Sequence, residues 1–172
     1  MKAAVLHAPA DLRVEDVARP VPDAGEVLVK VGAVGICGSD IGRVMVTGTY
    51  RFPTIPGHEF AGTVEEVGPG VTHLVPGDRV AVAPLMPCFD CGWCRAGKFS
   101  LCDDYDFLGS RRDGAFAEYL TAPARNVLKV PDNVSLEVAA TIEPAAIILH
   151  GIHKREDRKS TRRTPVTPIS RM

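Results

Sequence analysis

Four of the five cysteines fall in one short segment, PCFDCGWCRAGKFSLC, as Cys88, Cys91, Cys94 and Cys102. Two, two and seven residues separate them. Zinc takes four thiolates tetrahedrally, and a C-x-x-C turn lets two sulfurs reach one ion. Three cysteines on one knuckle and a fourth returning from a short loop meet that requirement. Gly92 and Gly97 offer the backbone freedom that wrapping requires. Four sulfur donors leave no position for water, which describes a closed, structural site at about residues 86–104. Disulfides, incidental thiols and an iron–sulfur cluster draw on the same residue type.

The fifth cysteine, Cys37, stands in GICGSD, and a His58-Glu59 pair stands in PGHEFAG. Each signal is weak alone, because a single cysteine is more often a small buried apolar residue. Together they offer a sulfur, an imidazole and a carboxylate, a mixed donor set suited to an open, catalytic zinc. Ser39 and Asp40 follow Cys37 and read equally as the N-cap of a short helix running to about Met45.

The elements that must position these residues are mostly strands. Lys2–His7 and Leu12–Val17 flank a turn-prone Ala8-Pro9-Ala10-Asp11. In 26–34, Val27, Val29, Val31 and Ala33 alternate with Leu28 and Lys30, which predicts a half-buried strand. Residues 60–67, 79–83, 118–121 and 126–130 read as further strands, divided by Gly-Pro-Gly and Pro-Gly-Asp turns. Ser135 caps a predicted helix in SLEVAATIE, and a second helical stretch follows Pro144. Many short strands with Gly/Pro turns and few helices predict a mainly β, barrel-like domain.

The 172 residues, 45% hydrophobic and 24% charged, are enough for one domain with a real core. A net charge of -1 gives no drive toward nucleic acid or anionic membrane. The charge is unevenly spread: residues 154–172 hold seven basic and two acidic side chains. That tail has almost no large apolar residues and no periodicity, so it is expected to be disordered. The N-terminal apolar stretch is too short for a signal peptide, and Ala145–Leu149 is too short to span a bilayer. A cytoplasmic location is the default, and there thiols and metal ligands outnumber disulfides.

GICGSD, PGHEFAGTVEEVGPGV, PGDRVAV, the cysteine segment, DGAFAEYL and IEPAAIILHG occur in that order. In these motifs the sequence resembles the GroES-like catalytic domain of the zinc-containing medium-chain alcohol and polyol dehydrogenases, over about residues 1–153. PLMPCFDCGWC and YDFLGSRRDGAFAEY look most like the galactitol-phosphate and sorbitol dehydrogenase branch. The resemblance implies a partly open β-barrel with a zinc lobule and two zinc ions per chain. It implies catalytic-zinc contacts at Cys37 and His58, with Glu59 as a direct or alternate ligand. Glu143, in IEPAA, matches a late-acting carboxylate that reaches the zinc or its bound water. Ser39 matches the hydroxyl that passes the alcohol proton outward, and Asp40 a partner that orients His58.

The implied chemistry is zinc-assisted hydride transfer from a secondary alcohol to NAD or NADP. The implied substrate is a small polyol or sugar-alcohol phosphate. Arg111-Arg112 could pair with a substrate phosphate, or could be a solvated charge pair on a loop. Family members continue from IEPAAIILHG into a Rossmann domain, whereas this sequence contains no G-x-G-x-x-G. The expectations are therefore no nucleotide site and no family dimer interface within these residues, little turnover, and association through an exposed cleft. The competing reading is a zinc-binding scaffold, for which the closed lobule alone suffices. A nucleic-acid zinc ribbon is disfavoured, since Asp90, Asp103 and Asp104 outnumber Arg95 and Lys98 around the cysteines.

Overall fold

The computed structural model describes residues 1–159. β1 (Lys2–Ala8) and β2 (Asp11–Asp16) form an antiparallel hairpin, with Lys2 opposite Asp16 and Leu6 opposite Leu12. β3 (Glu26–Gly35), β4 (Glu59–Val67) and β5 (Arg79–Val82) are the centre of the main sheet. β6 (Leu85–Pro87) and β7 (Tyr105–Phe107) pair with each other in a separate small sheet. β8 (Tyr119–Pro123) and β9 (Val127–Lys129) are the two edges of the main sheet, whose order is β8-β3-β4-β5-β9. All its pairings are antiparallel and it does not close, as the mainly β, partly open barrel expectation requires.

Alternation drives the core. Val27 and Val29 of β3 meet Phe60 and Val64 of β4, Val80 and Val82 of β5 and Leu120 of β8 in one buried cluster. Leu28 is fully buried too, so this end of β3 is covered on both faces. On the opposite side, Ala61 and Ala81 pack with Ala139 and Ala140 of α3 (Leu136–Ala140). The Ser135 Oγ accepts the Val138 N–H at 3.3 Å, which is the expected N-cap.

Three expectations need correction. The helix after Cys37 is α1 (Gly38–Gly42), its N-cap is Cys37 itself, and a π-helical turn, Arg43–Thr47, follows it. α2 (Gly92–Arg95) lies in the cysteine segment, and Gly92 is an ordinary helical residue there. Gly97, with φ 71°, is the glycine whose conformational freedom the loop uses. Finally, α4 (Ile142–Lys159) continues past the expected boundary at Lys154. Lys, Arg and Glu are strong helix formers, so a started helix propagates through them without an apolar face. The rest of the expected disordered tail, 160–172, lies outside the described residues. Pro144 sits in the first turn of α4, where its missing N–H has no helical partner to lose.

Candidate metal centres

The lobule is built on the β6–β7 pair, which brings the two ends of the cysteine segment together. Cys91 caps α2, Cys94 is buried within it, and Cys102 follows a 3₁₀ turn at Phe99–Leu101. The sulfurs of Cys88 and Cys102 are 3.5 Å apart, those of Cys88 and Cys94 3.9 Å, and those of Cys91 and Cys102 4.0 Å. A tetrahedron with Zn–S bonds of ~2.3 Å has edges of about 3.8 Å. A disulfide would need about 2.05 Å, and all five cysteines are free thiols. Backbone N–H groups of Asp90 and Cys91 point at the Cys88 sulfur from 3.4 and 3.3 Å.

The thiols also divide electrostatically. Backbone N–H groups of Asp103 and Cys94 draw Cys91 down to about 6. Burial, and then the neighbouring Cys91 and Cys102, push Cys94 up to about 12. Four clustered sulfurs cannot all carry charge without a cation among them. A divalent ion that prefers sulfur removes the conflict, so this donor set fits zinc.

The open set is a product of strand register. Gly35, the last residue of β3, pairs with Glu59, the first of β4. Cys37 and His58 therefore emerge at the same end of the sheet from adjacent strands. One donor atom from each of Cys37, His58 and Glu59 lies within 4.8 Å of the others. Behind them Asp40 is 1% exposed and His58 4%. Asp40 Oδ2 accepts the Cys37 N–H at 3.2 Å. Its Oδ1 faces His58 Nδ1 at 3.3 Å without the alignment of a formed hydrogen bond, both atoms are buried, and Arg43 Nη1 stands 3.8 Å from the same oxygen. Asp40 thus combines the two sequence readings: it bonds back to the helix start and faces the imidazole.

Burial lowers the His58 pKa, but the Asp40 carboxylate and the Cys37 sulfur outweigh it and hold the imidazole above its ordinary value. With Nδ1 turned toward Asp40, Nε2 is the nitrogen left for a ligand. Sulfur, imidazole and carboxylate in front of a buried second carboxylate that faces the imidazole form a donor set that fits a zinc ion.

Ser39 Oγ donates to Cys37 Sγ at 3.3 Å and accepts from Arg43 Nη1 at 3.1 Å. Glu143, half-buried at the start of α4, is outside the three-donor set but close enough to feel it. Burial first, then the Glu59 and Asp40 charges, raise its pKa against the lowering influence of His58. The arginine pair splits: Arg112 Nη2 donates to Glu26 Oε1 at 3.0 Å, whereas Arg111 lies over the rings of Tyr50 and Tyr105. Arg43 and Tyr50 lie outside every motif of the sequence, and Tyr105 and Phe107, whose ring meets that of His58 edge-on at 5.6 Å, lie within YDFLGSRRDGAFAEY without a role assigned from it.

Residues 23–132 match the family model described as alcohol dehydrogenase GroES-like domain, and the chain belongs to that family. Galactitol 1-phosphate 5-dehydrogenase of Escherichia coli K12 is 44% identical over 154 residues, 89% of this chain and 44% of that protein. The sorbitol dehydrogenase of Bacillus subtilis is 44% identical over 160 residues, 87% of this chain and 44% of that protein. The crystal structure of the E. coli galactitol-1-phosphate dehydrogenase superposes with a TM-score of 0.87 at 43% identity, covering 91% of this chain and 45% of that one. The chain therefore spans less than half the length of these relatives.

Proposed function

We propose that this chain is the zinc-binding catalytic domain of an NAD(P)-dependent polyol, sugar-alcohol-phosphate or alcohol dehydrogenase. One observation carries the reading: Cys37, His58 and Glu59 converge at one sheet end over buried Asp40. A scaffold needs only the closed lobule, and this second, open donor set has no structural purpose there.

In this reading Cys88, Cys91, Cys94 and Cys102 hold a structural zinc. Cys37 and His58 hold the catalytic one, with Glu59 or Glu143 as the carboxylate. Bound there, zinc supplies Lewis-acid chemistry, which makes an alcohol acidic at neutral pH and polarises a carbonyl. Asp40 fixes the imidazole's orientation through Nδ1. The Ser39 hydroxyl, anchored by Arg43, takes the departing alcohol proton and hands it outward. Glu143 is the nearby carboxyl whose raised pKa suits a group that exchanges protons at this rim. The hydride acceptor is NAD or NADP, and no residue described here is assigned to it. The substrate is a small molecule, with neither nucleic acid nor membrane as a partner, in the cytoplasm. No described helix is long and apolar enough to cross a membrane.

Elemental analysis of the purified chain tests the reading. Two zinc ions per chain, falling to one in Cys37→Ser, support it. One zinc in both proteins leaves the lobule alone and favours the scaffold.

A further inference from the structure

Arg111 has a setting that zinc binding does not explain. Its backbone N–H donates to the Phe107 carbonyl at 2.9 Å, one turn beyond β7. Its guanidinium carbon is 4.1 Å from the Tyr50 ring centroid and 4.4 Å from that of Tyr105, so two aromatic rings clasp it. Nε is buried with no hydrogen-bond partner. Arg13, Arg19, Arg43, Arg51, Arg95 and Arg112 each have a carboxylate within ion-pair distance. Among the described residues Arg111 has none, as is also true of Arg79, which donates to the Asp132 and Val134 carbonyls, and of Arg125, which lies over Phe89.

Aromatic faces hold a guanidinium in place through its π surface and leave its edge donors unused. A fixed cation with a buried, unpaired donor favours an anion with oxygens enough to meet the fork, and a phosphate is such an anion. Position ties this to the metal site. Tyr105 and Phe107 alternate on β7 and so share a face, about 7 Å apart along the strand. Phe107 touches His58 and Tyr105 touches Arg111, so one strand carries both contacts two residues apart.

We propose that Arg111, clasped between Tyr50 and Tyr105, selects a phosphorylated polyol by taking its phosphate while the reacting hydroxyl lies at Cys37 and His58. The inference rests on the dehydrogenase reading for the second half of that statement. It separates the arginine pair: Arg112 fastens Glu26 at the start of β3 and has no part in selection.

Calorimetric titration of the zinc-loaded chain with a hexitol 1-phosphate, the matching hexitol and inorganic phosphate tests it. The expected result is at least tenfold tighter binding of the hexitol phosphate than of the hexitol. Arg111→Met abolishes that preference, with zinc content, melting temperature and hexitol affinity retained. Arg111→Lys restores part of the preference, because it keeps the charge and loses the fork. Arg112→Met retains it. Preference for the phosphate that persists in Arg111→Met overturns the proposal, as does equal affinity for both ligands in the unaltered chain. Arg111-dependent capture of inorganic phosphate without preference for the hexitol phosphate overturns the substrate assignment. Cys37→Ser separates the two readings: zinc content unchanged by it sinks the metal site, while loss of phosphate binding in Arg111→Met still supports the arginine.

Discussion

Zinc uptake by the lobule has to displace protons, and the residues say in which pH range. Cys94, pushed up to about 12, is protonated throughout the neutral range, and only a thiolate ligates. Each proton displaced makes apparent affinity climb about tenfold per pH unit. Cys91, at about 6, is already ionised at pH 7 and adds to the slope only below that value. Zinc affinity of the lobule should therefore rise at least tenfold from pH 6.5 to 7.5 and fall more steeply below pH 6. Competition with a chelator of known pH dependence measures this, and a flat profile would contradict the four-thiolate assignment. Asp40 calls for a different measurement. Asp40→Asn leaves His58 without a charged partner, so open-site zinc should bind ~10–100-fold more weakly. The lobule ion should be retained in the same protein, as differential chelation would show. At this scale the donors were legible because cysteine and histidine announce their chemistry by type. The burial of Asp40, the Ser39–Arg43 contact and the tyrosines around Arg111 were not, since each depends on which loops the fold brings together.

Strand register, not any single donor, assembles the open site, and at the level of elements that makes β3 and β4 its foundation. Their close approach depends on Gly62. A Cβ there would run into the Lys30 carbonyl and the Val29 side chain of β3. Gly62→Ala should cost ~1–3 kcal/mol through overpacking and spread the strands whose ends carry Cys37 and His58. Thermal unfolding would show the lost stability. Metal analysis should show the open site depleted and the lobule full; a fully stable variant with two zinc ions would count against this foundation. The same strands show why much of the fold could be read from sequence. Alternating valines in 26–34 and turn residues around 68–70 and 76–78 state a period and its breaks. β6 and β7 could not be read, because LMP and YDF are three residues long and one contains proline. Such segments show themselves as strands only through their pairing with each other in the folded chain. The end of α4 was missed for the opposite reason: a sequence stretch without apolar periodicity can still be helical.

For the whole molecule, α4 presents a surface that the described residues do not cover. Ile147, Ile148, Leu149 and Ile152 are each at least 48% exposed on one stretch of helix. Ile148 and Ile152 are four residues apart, and Leu149 and Ile152 three, so the three side chains share a face. Contiguous exposed apolar area drives association, because burying it against a second copy removes it from water. The purified chain should therefore self-associate as concentration rises, and sedimentation velocity would report the shift. Replacing Ile148, Leu149 and Ile152 together with glutamine should return it to a monomer. None of the three is a proposed ligand and none lies in the buried clusters, so both zinc ions should remain. A triple variant that still associates would move the contact elsewhere, with the exposed Phe89, Trp93 and Phe99 of the lobule the next surface to alter. A triple variant that is monomeric but has lost the Cys37–His58 zinc would instead show that α4 holds the open site in shape, through Glu143 in its first turn.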